Sequence, residues 1–154
     1  MTGIAMIHEF LHEAHVPYAV VPHEARFTAE EEAAAAHVPR RDWAKVVVCF
    51  IDGDPVEAVV PAERVVSLER LLALSGGGAI RLANEQELLQ LFPECEVGAM
   101  PPFGPLYGHT VYVDAMLALE DEIAFNAGTH RDAIAMRWDD FVKMVNPIVG
   151  RFAE

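Results

Sequence analysis

Two apolar runs joined by a short turn constrain the fold of this chain more than any other feature. Residues 45–51 and 56–60 are rich in valine and isoleucine, and the four residues between them read Asp-Gly-Asp-Pro. β-Branched side chains favour strands, and Asp-Gly between two such runs is a strong hairpin signal. The sequence therefore predicts an antiparallel hairpin. Turn chemistry also explains Asp52 and Asp54, so we do not interpret them as a catalytic pair.

The rest of the chain alternates between short strands and helices. We expect further strands at residues 18–21, 80–83, 110–113, 123–125 and 133–136. Helices are expected before Pro17, after a Thr28–Glu31 capping box, from Ser67 to a glycine stop, after Asn84, and after a cap at Asp139. Strict β-α-β alternation is missing, which excludes an all-parallel Rossmann sheet. The pattern predicts an α+β fold in which residues 1–154 form one domain, with a mixed or antiparallel central sheet flanked by helices.

Composition narrows the classes of partner. The 154 residues are 53% hydrophobic and carry a net charge of −13, so there is material for a core but little for sustained binding to duplex nucleic acid such as DNA. No run is long enough to span a membrane, and the N-terminus lacks a basic leader. The expectation is a cytoplasmic domain in which Cys49 and Cys95 are reduced and buried. Two short basic runs could form a local patch: Arg40, Arg41 and Lys45, then Arg131, Arg137 and Lys143.

The most conspicuous short motif is a match to HExxH. His8, Glu9 and His12 would place two imidazoles one helical turn apart beside a carboxylate, as in zinc proteases. The position that would hold a third histidine in the extended motif is Tyr18. We interpret the segment as the polar face of an amphipathic helix, and we keep a zinc hydrolase as an alternative hypothesis.

Three segments far apart in the sequence carry the other candidate chemistry. Lys45 opens an apolar strand, where it is either a surface residue or a cation at a site. Residues 98–104 (Gly-Ala-Met-Pro-Pro-Phe-Gly) form a stiff loop whose amides could face an oxyanion. Residues 125–134 (FNAGTHRDAI) present His130 after a glycine turn. Each segment alone has an ordinary structural explanation.

Together and in this order, the three segments resemble the YbaK-type aminoacyl-tRNA deacylases. These are free-standing relatives of the editing domain inserted in bacterial prolyl-tRNA synthetases. The resemblance covers nearly the whole chain, and the FNAGTHRDAI segment is its most specific part. It implies an α+β fold and hydrolysis of the ester of mischarged aminoacyl-tRNA, with no metal or other cofactor. It also implies that the terminal 2′-hydroxyl of the substrate assists catalysis.

The resemblance assigns roles to particular positions. It implies that Lys45 holds the terminal adenosine and ester, that Gly98 begins a GxxxP loop positioning the scissile carbonyl, and that His130 lines the aminoacyl pocket. We expect His130 to be a pocket wall, since the sequence shows no carboxylate to orient it. The remaining predicted substrate contacts flank these residues: Ala99, Met100, Pro101, Pro102, Gly128 and Thr129.

Two departures keep alternatives open. The alanine-specific branch of the family has an asparagine after the lysine, whereas this chain has Val46, so the amino acid removed is left open. The negative charge favours weak binding of the tRNA 3′ end, with an aminoacyl-tRNA synthetase as a further expected partner. The alternative to an enzyme is a non-catalytic module of the same fold that docks on tRNA or on a synthetase.

Overall fold

The structure is a computed structural model that describes residues 3–154. The strands are β1 (Tyr18–Pro22), β2 (Ala44–Ile51), β3 (Asp54–Pro61), β4 (Ile80–Leu82), β5 (Thr110–Asp114), β6 (Glu122–Asn126), β7 (Asp132–Arg137) and β8 (Ile148–Gly150). The helices are α1 (Gly3–Glu13), α2 (Ala29–Ala35), α3 (Leu68–Ser75), α4 (Glu85–Leu91), α5 (Gly104–Tyr107) and α6 (Trp138–Val145). The α+β prediction is confirmed.

The strands form two sheets. Five strands lie in the order β4-β2-β3-β5-β8, and three lie in the order β1-β7-β6. The pairs β3–β5 and β5–β8 are parallel, and the other pairs are antiparallel, so the five-stranded sheet is mixed. A parallel bridge between Trp43 and Ala124 joins β6 to the residue before β2. The predicted single central sheet is thus divided in two, with the division next to β2.

The predicted hairpin is confirmed. β2 and β3 pair along their whole length, from Ala44 opposite Pro61 to Ile51 opposite Asp54. The two turn residues have positive φ, 51° at Asp52 and 85° at Gly53, as a type I′ turn requires. The Asp52 carboxylate accepts hydrogen bonds from the amides of Gly78 and Ala79, so its role is structural, as turn chemistry suggested.

The main core lies between the two sheets, with helices packed against it. Ile7 and Leu11 of α1, Phe125 of β6 and Phe141 of α6 are fully buried there with Phe103. Cys49 and Cys95 are buried free thiols, as predicted. In the described part of the chain, no helix is long and apolar enough to cross a bilayer.

Several local predictions were wrong or incomplete. Asp139 does not cap α6, because the helix begins at Trp138, two residues earlier than a cap at Asp139 implies; its N-cap is Arg137, with no side-chain cap hydrogen bond. Asn84 forms a full capping box at α4. At α2 the Thr28 hydroxyl accepts from the Glu31 amide but donates to the Glu31 carboxylate, so the predicted box is incomplete. Two elements were not predicted: β8, and the short α5, which lies within the predicted loop 98–108.

Candidate functional site

A cleft of about 580 Å³ opens where the two sheets separate along β2. β6 bridges to this edge at Trp43, just before β2, and β4 pairs with β2 from Cys49 to Ile51. Among the described residues, positions 45–47 therefore pair with β3 alone. The start of α2 covers the opening. The lining residues are Phe27, Thr28, Ala29, Glu30, Glu31, Glu32, Lys45, Val46, Val47, Ala62, Gly98 and Asn126.

Lys45 lies in the wall of this cleft near the start of β2. Its Nζ donates to the carbonyl oxygen of Arg64, which uses one of the three ammonium donors. Partial burial lowers the pKa of Lys45 and the charge of Glu30 acts in the opposite direction. Two ammonium protons therefore remain for oxygen atoms of a bound molecule.

A buried hydrogen-bond network lies at the wall of the cleft, which Glu32 and Asn126 line. Glu32, on the inner face of α2, is 2% exposed and its two carboxylate oxygens contact different partners. Oε1 accepts from Asn126 Nδ2 at 3.3 Å, and Oε2 lies 3.3 Å from His130 Nδ1. Burial raises the pKa of the Glu32 carboxyl, opposed by the contacts with Asn126 and His130 and by the charge of His23.

His130 differs from its sequence-based description. We expected no carboxylate to orient it, yet Nδ1 faces Glu32 and Nε2 lies 2.8 Å from the Val97 carbonyl oxygen. A carbonyl oxygen only accepts, so Nε2 must carry a proton and donate. Both ring nitrogens are thus engaged within the protein, and Glu32 is the carboxylate that the sequence did not reveal. The missing signal was tertiary, because α2 and residue 130 are about a hundred positions apart.

The predicted loop of residues 98–104 contributes one residue to the cleft. Gly98 lines it, with a φ of 84° that favours glycine, and its Cα faces the edge of the His130 ring. The amide of Ala99 donates to the Glu96 carbonyl, so it is not the free donor that we expected. Ala99, Met100, Pro101 and Pro102 are buried outside the cleft lining, with Met100 packed against Val48 and Phe92.

The segment before His130 holds this loop in place. Gly128 is buried; its amide donates to the Ala99 carbonyl, and its own carbonyl accepts from the Glu96 amide. Thr129 donates to Asp132 and accepts from the Asp132 amide, which shapes the turn. The predicted residues Lys45 and Gly98 therefore meet in one cleft, whereas His130 lies directly behind Gly98.

A second cleft of about 460 Å³ adjoins the first. Phe27 lines both, and its side chain is 76% exposed with its ring centroid 5.0 Å from that of His130. Thr129, His130 and Arg131 line the second cleft opposite it. Phe27 and Glu32 lie near the α2 cap and were not predicted as site residues. Asn126 lies in the predicted FNAGTHRDAI segment but was not itself assigned a role.

The HExxH segment lies elsewhere, on α1. His8 Nδ1 bonds the Tyr18 hydroxyl at 2.7 Å. Within residues 3–154, no three His, Cys, Asp or Glu side chains are grouped so as to hold a metal ion.

Comparison with known proteins agrees with this geometry. A family model for the aminoacyl-tRNA editing domain matches residues 23–144, most of the chain and all three segments. The chain belongs to this family. The predicted family is confirmed, and with it the class of enzyme, an aminoacyl-tRNA deacylase that acts on aminoacyl-tRNA.

One curated relative and two solved structures illustrate matches that cover most of both chains. The chain is 29% identical over 140 residues to the multifunctional Ser/Thr-tRNA deacylase ProXp-y of Escherichia coli K12, covering 88% of this chain and 83% of the relative. A crystal structure of a candidate trans-editing enzyme for prolyl-tRNA synthetase matches with a TM-score of 0.84 and 21% identity, covering 100% of this chain and 98% of that one. A crystal structure of a hypothetical protein gives a TM-score of 0.86 at 18% identity, over 97% and 99% of the two chains. At these identities the structural matches support the fold.

Proposed function

We propose that this chain is a free-standing editing hydrolase that cleaves the ester of mischarged aminoacyl-tRNA, with seryl and threonyl esters as its substrates. The observation that carries the proposal is the meeting of Lys45 and Gly98 in one cleft of about 580 Å³, with His130 behind Gly98. The choice of amino acid rests on the name of the E. coli relative, which is a Ser/Thr-tRNA deacylase.

The chemistry needs little from the protein. Water adds to the ester carbonyl carbon and the bond to the ribose oxygen breaks. One proton of the water goes to that oxygen and the other to solvent, so the amino acid leaves as a carboxylate. An aminoacyl ester is already activated, so orientation of the reactants and stabilisation of the oxyanion supply most of the acceleration. The 2′-hydroxyl of the terminal ribose orients the water in this scheme, and no metal or other cofactor takes part.

Two groups of the cleft have the chemistry for these tasks. The Gly98 amide donates no hydrogen bond within residues 3–154, so it is available for the developing oxyanion. The two remaining Lys45 donors would hold ester and phosphate oxygens of the terminal nucleotide. The buried residues Ala99, Met100, Pro101 and Pro102 would act as support for Gly98, and Gly128 and Thr129 as support for His130.

The surrounding charge supports weak tRNA binding. Glu30, Glu31 and Glu32 line the same cleft as Lys45, and the chain as a whole carries a net charge of −13. We propose that only the 3′ end of the tRNA binds here, and that an aminoacyl-tRNA synthetase holds the tRNA body.

Deacylation of a panel of mischarged tRNAs tests this function. Alanyl, cysteinyl, seryl and threonyl esters would be incubated with wild-type protein, Lys45→Met and Lys143→Met. Lys143, the second of two lysines in the chain, is exposed on α6 and is a matched control. We expect hydrolysis of seryl and threonyl esters, a loss of roughly a hundredfold in kcat/KM in Lys45→Met, and no change in Lys143→Met. If wild-type protein hydrolyses no ester above the uncatalysed rate, the non-catalytic binding module becomes the better hypothesis.

A further inference from the structure

Glu32 has no assigned part in the reaction, yet it joins the two sides of the site. It is buried on α2, and its carboxylate reaches both Asn126 at the end of β6 and His130 after it. A carboxylate in this position is costly unless its oxygens are paired or it takes up a proton. The arrangement therefore needs an explanation beyond helix capping, which Thr28 and Glu31 already provide.

The hydrogen bonds fix how many protons the pair can share. Because Nε2 of His130 donates to the Val97 carbonyl, only Nδ1 faces Glu32. One proton between Nδ1 and Oε2 gives either an ion pair or two neutral groups, and both are attractive. Loss of that proton would set a lone pair of the ring against an ionised carboxylate, which repel each other.

The same imidazole connects to the loop at the cleft. Val97, whose carbonyl His130 holds at 2.8 Å, directly precedes Gly98. The His130 amide donates to the Glu96 carboxylate at 2.8 Å, and the Gly98 Cα faces the ring. The Val97 carbonyl and the Gly98 amide belong to one planar peptide, so the contact between Nε2 and the carbonyl also constrains the direction of the Gly98 N–H.

We propose that Glu32 is a positioning residue that acts through His130: by sharing one proton with Nδ1 it keeps Nε2–H on the Val97 carbonyl, and so holds the Gly98 amide towards the cleft. The inference rests on the proposed function, in which Gly98 is the oxyanion donor. Hydrolysis then requires the pair to keep its proton, and the rate falls at the alkaline side when the proton is lost.

Other charged groups near the pair act on its titration. His23 lies on the segment after β1, Lys45 on β2 across the cleft, and Glu96 at the His130 amide. Two more carboxylates, those of Glu30 and Glu31, belong to α2 itself and line the cleft, and Arg131 follows His130 in the second cleft. Variants that change Glu32 alone leave all of these groups in place.

Glu32→Gln tests the shared proton separately from the orientation of His130. Its oxygen can still accept from Asn126, and its NH₂ can donate to an unprotonated Nδ1, so His130 keeps its orientation without a shared proton. We expect Glu32→Gln to retain kcat within a few-fold at neutral pH and to lose the alkaline fall. Glu32→Ala should lower kcat by up to about a hundredfold, as misplacement of a reacting group does, with little change in KM.

Glu57→Gln is a matched control, because Glu57 is also fully buried and its Oε2 lies 3.4 Å from a histidine Nδ1, that of His109, outside the cleft. It should leave the pH–rate profile unchanged. The rates are corrected for base-catalysed ester hydrolysis at each pH. An alkaline fall of equal size and midpoint in Glu32→Gln would overturn the proposal.

Spectra of the free protein test the inference without any substrate. Imidazole ¹⁵N shifts of His130 should show a proton on Nε2, as the contact with the Val97 carbonyl requires, and the Gly98 amide resonance should move over the pH range of the rate profile. In Glu32→Gln the Gly98 resonance should not move over this range. A Gly98 resonance insensitive to both pH and Glu32→Ala would overturn the positioning role even if no ester is hydrolysed, whereas the predicted spectra with an inactive wild type would contradict only the proposed function.

Discussion

Glu57 and His109 form a buried pair that the proposed reaction does not use. Glu57 lies on β3 with no exposed surface, and its carboxylate has no hydrogen-bond partner among residues 3–154. His109 Nδ1 lies 3.4 Å from Oε2, and Phe92 and Tyr107 pack on the His109 ring. Burial raises the pKa of the Glu57 carboxyl to about 7, and the interaction with His109 only partly opposes this.

The stability of the protein should therefore fall as the pH rises from 4.5 to 8. Glu57 has a pKa near 4.5 in the unfolded chain and about 7 in the folded one, so the folded state binds more protons in between. Its contribution is fully present below 4.5 and is lost as the pH passes through 7, by at most about 3 kcal/mol. Urea unfolding at pH 5 and 8 measures the loss, which Glu57→Gln should reduce. An identical loss in the variant would contradict this assignment.

Gly98 should be sensitive to a single methyl group. Its φ of 84° is unfavourable for alanine, although an added Cβ would make only an ordinary contact, 3.5 Å from His130 Cε1. We expect Gly98→Ala to lower the unfolding free energy by about 1–2 kcal/mol and to reduce kcat, because the amide would shift.

Gly108 provides the control for that substitution. It has a φ of 76° and open space around its Cα, so Gly108→Ala should cost about the same stability. Hydrolysis should be unchanged in Gly108→Ala. If both variants lose activity equally, the effect of Gly98→Ala is general destabilisation.

At the scale of elements, α4 offers a test of local helix capping. Asn84 accepts from the Glu87 amide at 2.8 Å, and the Glu87 carboxylate accepts from the Asn84 amide at 3.0 Å. Asn84→Ala should lower the unfolding free energy by about 1 kcal/mol, while Asn84→Ser keeps the cap and should cost little. Activity should not change in either variant, since Asn84 lies outside both clefts. Equal stabilities of the two variants would show that the cap contributes little.

Elements with a strong local signal were predictable from the sequence. The β2–β3 hairpin follows from its valine runs and Asp-Gly turn, and the helix stop at Gly76 follows from the left-handed φ of 75° that glycine allows. β8 has three residues, Ile148–Gly150, and within residues 3–154 its one strand partner is β5, which is distant in sequence, so nothing local marks it as a strand. The start of α6 was misplaced because Asp139 is a residue type that often caps helices. In the structure Trp138 already belongs to the first turn, where its ring packs on that of Phe141.

The candidate site divides in the same way. Lys45 and Gly98 lie in segments with their own sequence signals, and the structure brings them to one cleft. Glu32 could not be singled out from the sequence, because Glu30 and Glu31 beside it are also glutamates. Only the packing of α2 shows which of the three side chains is buried. The orientation of His130 depends on that same contact, so its role could not be inferred either.

At the scale of the whole molecule, several of the basic side chains are paired with acidic ones. Arg40 pairs with Glu30 at 3.1 Å, and Arg81 pairs with Glu87 at 2.7 Å. Arg41 lies within 4 Å of both Asp42 and Glu120, and Arg137 contacts Asp139 at 4.0 Å. Three of the six side chains in the two basic runs, Arg40, Arg41 and Arg137, are thus paired with carboxylates. The cleft adds three glutamates to a chain whose net charge is −13.

Hydrolysis should consequently depend weakly on salt. A protein that contacts six to ten phosphates loses roughly 10³- to 10⁵-fold in affinity between 50 and 200 mM salt, because bound counterions are released. Here only the terminal nucleotide is expected to contact a cation, and salt also screens the repulsion between tRNA and a chain of charge −13. We expect kcat/KM for a mischarged tRNA to change by less than about tenfold over this range. A minihelix ending in the same acceptor stem serves as control and should give the same slope, since the tRNA body makes no contact in this scheme. A fall of several hundredfold with full-length tRNA alone would instead require a basic surface for the tRNA body, and would contradict binding through the 3′ end only.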